Sequence, residues 1–220
     1  MKDLHAIRGA RLLREWIAQG EHQTQDFKFA ISDARKIARS LSAFANHEGG
    51  RLLIGVKDNG VIAGVRNEED IYVVEQAAER YCYPPQEVTF QAYRIDGPTH
   101  VIVASINAAE KLPVYAVEPD GCRRAYFRVA DENIAAHPLM VRAWEQKYAD
   151  NAPTFSLEGP AAAILDYIVS KKQVSDTRRM ALDLHISADT ADSYIARLAA
   201  IELLRFKYSA GHFVIEAAEE

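Results

Sequence analysis

Cysteine is scarce in this chain of 220 residues: Cys82 and Cys122 stand alone, with no CxxC pair and no neighbouring Cys/His run. That excludes a disulfide framework or a finger-type zinc site and suits a reduced compartment, so the cytoplasm is the expected location. Long apolar runs are missing too. Stretches such as Leu52-Leu53-Ile54 fall far short of the roughly 20 residues a spanning helix needs, so no membrane partner is expected. The start, MKDLHAIRGARLLREW, is charged throughout and carries no small-residue cleavage site, which argues against export. Nor is there a basic excess: 31 acidic residues outnumber 26 basic ones, for a net charge of −5. Any affinity for nucleic acid must then come from a local patch. GxxxxGK[ST], GxSxG, HExxH and kinase signatures are all absent, which removes the commonest NTPase, hydrolase, zinc-protease and kinase readings. Seven histidines lack ligand-like spacing and read as surface or packing residues.

What is present is globular: 49% apolar and 26% charged residues, enough for one large domain or two modest ones. Leu4, Ile7, Leu12, Leu13, Trp16 and Ile17 recur at helical spacing between Asp3 and Gln19, and Gly20 offers a stop. Residues 25–29 alternate like a half-buried strand. Ser32 and Asp33 can cap a helix whose face of Ile37, Leu41, Phe44 and Ala45 runs to Gly49-Gly50. Leu52 to Val56 reads as a buried strand, and Asp58-Asn59-Gly60 signals a hairpin into 61–65. A helix over 69–81, with Glu68, Glu69 and Asp70 at its positive end, must stop before Pro84-Pro85. Two hairpins follow, 88–95 with 100–106 around Asp96-Gly97, and 114–117 with 125–129 around Pro119-Asp120-Gly121. Helical spacing returns at Leu139, Val141 and Trp144.

The polar, proline-bearing stretch 149–156 is read as a linker between a domain over 1–148 and a second over 157–220. The second reads as helices 161–170, 176–184 and 187–204, then a hairpin of 205–208 with 212–215. Three helices and a wing describe a winged helix-turn-helix.

The most informative segments are Glu21-His22-Gln23-Thr24-Gln25-Asp26-Phe27-Lys28, then Ala43-Phe44-Ala45-Asn46-His47-Glu48-Gly49-Gly50, then Leu53-Ile54-Gly55-Val56-Lys57-Asp58-Asn59-Gly60. Leu112-Pro113-Val114-Tyr115 and Tyr126-Phe127-Arg128-Val129 complete the series. In this order they resemble the Schlafen/AlbA-like domain, a DNA-binding domain type of bacterial transcriptional regulators. The resemblance implies an α+β fold with a mixed or antiparallel sheet and flanking helices, here followed by the small winged helix-turn-helix.

Two site readings result. Converging carboxylates bind Mg²⁺ or Mn²⁺, which can activate water on a phosphodiester. The resemblance to nuclease-like Schlafen proteins assigns that role to Glu21, Asp26 and Asp58, with Glu21 and Asp26 as the metal ligands. Asp26 is shorter than the family's glutamate, and Asp58 stands one step late, which in a strand turns it to the opposite face. Otherwise Glu21 and Asp26 are ordinary ion-pair partners of Lys28, Arg35 or Arg51.

The second reading needs no cofactor. Lys28, Arg35, Lys36, Arg39, Arg51 and Lys57 form a candidate cationic strip, extended by Arg123, Arg124 and above all Arg128, the basic residue of a family motif. Residues 151–220 carry seven basic against ten acidic residues, yet Thr190, Ser193, Tyr194 and Arg197 are placed to meet base edges, and Arg205, Lys207 and His212 give the wing a cationic edge. The expected partner is DNA, with RNA as the alternative substrate of a ribonuclease. A homodimer is expected if palindromic sites are bound, and a pure docking or dimerisation module is the third reading.

Overall fold

In the computed structural model, which describes residues 5–65, 69–95, 99–149 and 156–218, Gly9 decides where the first helix begins. Ile7–Arg8 form a short strand (β1), and only Ala10–Ala18 are helical (α1). A Cβ on Gly9 would stand 2.2 Å from the ring of Tyr93, the residue against which Ile7 pairs. The helix expected from Asp3 is therefore cut short by a close backbone-to-ring approach. The chain continues through β2 (Gln25–Lys28), α2 (Ala34–Ala45), β3 (Gly50–Ile54), α3 (Glu69–Gln76) with one π turn over Ala77–Tyr81, β4 (Cys82–Tyr83), β5 (Thr89–Arg94) and β6 (His100–Ile106). Then come β7 (Tyr115–Val117), β8 (Arg123–Val129) and β9 (Glu132–Ala135).

Five strands form a mixed sheet in the order β1-β5-β6-β3-β2, parallel at its two outer pairs and antiparallel between. A second, antiparallel sheet runs β4-β7-β8-β9. Both expected hairpins form, although the turn residues 96–97, like Glu68, lie outside the described residues. The strand expected over 61–65 does not form. One bridge, Val56 to Ile62, and a bond from the Val65 amide to the His100 carbonyl are what pair there, because Gly55 (φ 95°) turns the chain out of the sheet and two amides, of Ala63 and Gly64, fold back onto its carbonyl.

Alternation sorts β2, β3 and β6 into two faces. Phe27, Leu53, Val101 and Val103 pack with Leu13 of α1, whereas Leu52, Ile54, Ile102 and Ala104 meet Ile37, Leu41 and Phe44 of α2. One apolar stripe is what the spacing of α2 predicts, yet nine of its twelve residues are buried. The second sheet covers its other side: Val114, Ala116 and Tyr126 join the same cluster. Asp33 starts α2 by accepting from the amides of Arg35 (3.0 Å) and Lys36 (3.3 Å). At its far end Gly49 takes φ 79° with a virtual Cβ only 2.7 Å from the carbonyl oxygen of Ile106, so neither conformation nor space admits a side chain.

The chain divides into two compact units between Ala135 and Ala136. The helix over Pro138–Lys147 (α4), expected to close the first domain, contributes Leu139 to the core of the second. That core also holds Ile164 and Ile168 of α5 (Pro160–Lys171), Met180 of α6 (Thr177–Asp183), Ile195 and Leu198 of α7 (Ala188–Ala200), and residues of the hairpin β10 (Leu204–Ser209) with β11 (His212–Ala217). Most of the expected linker, 150–155, lies outside the described residues. No helix among the described residues is long and apolar enough to cross a membrane.

His137 caps α4: its Nδ1 accepts from the Leu139 amide at 3.2 Å, and its ring stacks on Phe206 and meets Phe213 edge-on, both from the β10–β11 hairpin. Burial lowers its pKa below the usual histidine value against the opposing charge of Asp192. A depressed imidazole gives stability that is present above the unfolded value and is lost as pH falls through the folded one. His137→Asn keeps a capping oxygen without a titrating ring. Its urea midpoint, read at Trp144 fluorescence near pH 5 and pH 8, is expected to vary less with pH than that of the wild type.

Candidate functional site

β2 is an edge strand, and its outward backbone groups are satisfied by a backbone bridge between Gln25 and His22 and by side chains. The Phe27 amide donates to Glu21 Oε1 at 2.8 Å, the Phe27 carbonyl accepts from Lys28 Nζ at 2.9 Å, and the Gln25 carbonyl accepts from Arg128 at 3.2 Å. Covering an edge with charged side chains also blocks pairing with another chain. The same arrangement gathers charge. Asp26 and Lys28 share a strand face, with Nζ 2.7 Å from Oδ2, and an Arg128 nitrogen lies 3.8 Å from Oδ1 of Asp26. Glu21 is hydrogen-bonded to Asp26, and its pKa is pushed up to about 7, first by burial and then by that shared carboxyl contact. Beside it His22 is held below the usual histidine value by burial and by Arg51 and Arg128.

Two of the three predicted carboxylates therefore meet, and the third does not join them. Asp58 lies exposed in a turn beyond Gly55. Alternation does not reach it, since the strand ends at Ile54 and Val56 has already changed sides to join Phe27 and Leu53. No group of three potential ligands that could hold a metal ion occurs among the described residues. Lys28 and Arg128 already supply positive charge to Asp26, where a cation would sit. With these cations on Asp26, and with Asp58 outside the pair, Glu21 and Asp26 do not fit a Mg²⁺ or Mn²⁺ site.

The cationic strip also changes. Arg128, expected to touch phosphate, is 2% exposed and is the largest fully buried side chain among the described residues. Its guanidinium donates to Asn133 Oδ1 at 2.8 Å and to the Gln25 carbonyl, and lies 4.9 Å from the Phe44 ring centroid. Arg35 donates to the carbonyls of Val117 and Glu118 and stacks on Tyr81. Arg39 forms a bidentate pair with Glu118, which also accepts from the Tyr126 hydroxyl. Burial alone would raise the Glu118 pKa, but these bonds hold it below the usual range. Arg51 is tied to Gln25 Oε1 at 2.7 Å and lies over the Trp16 ring. Lys28, Lys36 and Lys57 keep access to solvent. All three lie at one end of the sheet: β2 and β3 run parallel with Lys28 opposite Ile54, Lys36 opens the helix after β2, and Lys57 follows β3 to reach the Phe29 ring.

In the second unit only Ala188 and Asp189 of α7 are well exposed. The Thr190 hydroxyl is engaged with Ser187 at 2.7 Å, Tyr194 packs against the core, and Arg197 lies against Tyr194. All three are partly buried. On the hairpin Arg205 pairs with Glu216 at 2.6 Å while Lys207 is exposed.

Glu21 gives a direct test. A carboxyl raised from 4.5 to about 7 on folding adds stability that is complete below the unfolded value and is lost as pH rises through the folded one. Glu21→Gln is expected to abolish a loss on the order of 1 kcal/mol between about pH 5 and pH 8, the value being reduced for solvent screening. Parallel pH profiles for the two proteins, measured by urea unfolding, would show that Glu21 titrates normally.

Among known proteins, the model of the Schlafen, AlbA_2 family matches residues 21–137. A solved structure of the DIP2311 protein from Corynebacterium diphtheriae aligns at 21% identity with a TM-score of 0.44, covering 68% of this chain and 30% of that one. This chain thus spans under a third of that protein. No curated protein matches.

Proposed function

The chain belongs to the Schlafen, AlbA_2 family, and from that membership we propose that it binds nucleic acid, DNA in the first place, as a transcriptional regulator. The observation that carries the proposal is the placing of the exposed Lys36 and Lys57, with Lys28 paired to Asp26 at the end of β2, just beyond the carboxyl ends of two parallel strands, the part of an open sheet where ligands commonly bind. Such ammonium groups displace counterions from phosphates without reading sequence. The α6-turn-α7 pair and the hairpin that follows support a winged helix-turn-helix in the second unit. Its contact is assigned first to the hairpin, through Lys207 and Arg205, which are exposed, whereas Thr190, Tyr194 and Arg197 of α7 are partly buried. Backbone contact then dominates over base reading, and a homodimer on a palindromic site is the form in which such a protein gains selectivity.

The test is fluorescence anisotropy of the full chain with random duplex DNA and with a structured RNA across a salt series. Lys36→Ala/Lys57→Ala is expected to lower affinity for all duplex sequences alike and to reduce the salt slope by about two. Tighter binding to RNA would move the proposal to RNA. Absence of binding to either at low salt would overturn it.

A further inference from the structure

Along the outer face of α3 two cavities meet at Val73. One, about 390 Å³, opens between the end of β2 and the first turn of α3, with Phe29 and Ile31 in its lining. The other, about 350 Å³, continues past Tyr72 along the helix and the π turn. Among the described residues, Glu69, Asp70, Glu75, Glu79 and Arg80 are the charged side chains lining this groove. Two aromatic rings stand open beside it, Tyr72 at 54% and Phe29 at 40% exposure. Carboxylate walls repel phosphate, so the groove is no extension of the lysine cluster. Asp70 serves the fold by accepting from the Ile31 amide at 2.9 Å. At the mouth, the Lys57 ammonium lies 5.4 Å from the Phe29 ring centroid. An aromatic ring at this place therefore already receives an aliphatic cation.

We propose that this groove docks a basic segment of a protein partner, one carrying Lys or Arg next to aliphatic side chains. From Glu69 to Glu79 the helix runs roughly 15 Å, the reach of about five residues of extended chain. An aliphatic side chain enters the Phe29–Val73 cavity, while flanking cations meet Glu69 at one end and Glu79 at the other. Carboxylates on both sides set direction and specificity, and the apolar cavity holds the segment in place.

The 220-residue chain is titrated against three labelled peptides: Lys-Arg-Leu-Ile-Lys-Arg-Leu, its serine version Lys-Arg-Ser-Ser-Lys-Arg-Ser, and the inverted Glu-Asp-Leu-Ile-Glu-Asp-Leu. The first is expected to bind, the second to bind at least about tenfold more weakly, and the third not at all. Glu69→Lys/Glu79→Lys, both at exposed positions, is expected to abolish binding with the urea midpoint preserved, and Tyr72→Ser to weaken it. Equal binding of the leucine and serine peptides would reduce the groove to a diffuse charge effect and overturn the proposal. So would charge reversal without effect. Self-association of the chain that the reversal dissolves would overturn it in favour of a second copy as the occupant. DNA and RNA affinities measured on the same variants should not fall, so failure here and failure of the nucleic-acid reading are separate results.

Discussion

Arg128→Ala is expected to destabilise the first unit by about 3–5 kcal/mol and to leave the salt slope of nucleic-acid binding by the folded protein unchanged. Burial sets the sign of both effects. At 2% exposure the side chain cannot reach a phosphate. Its removal opens a cavity beside Phe44 and strips donors from Asn133 and from the Gln25 carbonyl on the β2 edge. It also takes away one of the two cations at Asp26, which is 5% exposed. Arg128→Met keeps much of the volume and loses the donors, so it should fall between alanine and wild type. The two tryptophans make the measurement specific, since Trp16 lies in the first unit and Trp144 in the second. Urea unfolding followed in a Trp144→Phe background reports on Trp16 alone. A folded Arg128→Ala protein of wild-type stability with a reduced salt slope would restore Arg128 to the ligand surface.

The same residue shows where sequence reading stops. Position 128 is legible as part of a motif in a strand, and its charge suggests an outward side chain. What sends it inward is a second sheet laid over α2, and hydrophobic period reports the faces of an element without reporting how many layers cover it. The undercount of the burial of α2 has the same origin. Arg35 and Arg39 lie close to Lys36 in sequence, yet their partners come from Val117 and Glu118, a separation no local pattern records. The hairpins β5–β6 and β7–β8 are legible because turn chemistry is local. The strand expected over 61–65 fails because Gly55 and Gly64 take positive φ and leave the ladder. Within the candidate site, the meeting of Glu21 with Asp26 is legible from their places around one strand. The exclusion of Asp58 depends on a change of side at Gly55 that alternation does not foresee.

Asn46→Ala is expected to cost a similar amount, about 3–5 kcal/mol, because it strips a partner from three buried backbone groups at once, leaving the Val114 carbonyl with Ser42 alone. The amide is 6% exposed. Its Nδ2 donates to the Val114 and Tyr126 carbonyls at 2.7 and 2.8 Å, and its Oδ1 accepts from the Val114 amide at 2.7 Å. Ser42, one turn earlier, donates to the Val114 carbonyl and accepts from the Tyr126 amide. Together they fasten the end of α2 to two neighbouring segments of the second sheet. Asn46→Asp should be no milder, since a carboxylate cannot donate to the two carbonyls and would be buried with its charge. Ser42→Ala, which leaves the Asn46 bonds to Val114 and Tyr126 in place, should cost about 1–2 kcal/mol. The order Asn46→Ala above Ser42→Ala, read at Trp16, tests the arrangement, and an Asn46→Ala cost below about 1 kcal/mol would contradict it. The consequence reaches the function. Asn46, Gly49 and Arg128 all belong to the segments that resemble the family, and all three act on folding. Loss of nucleic-acid binding in a variant at any of them would identify no contact, whereas loss at Lys36 or Lys57 in a protein of unchanged stability would.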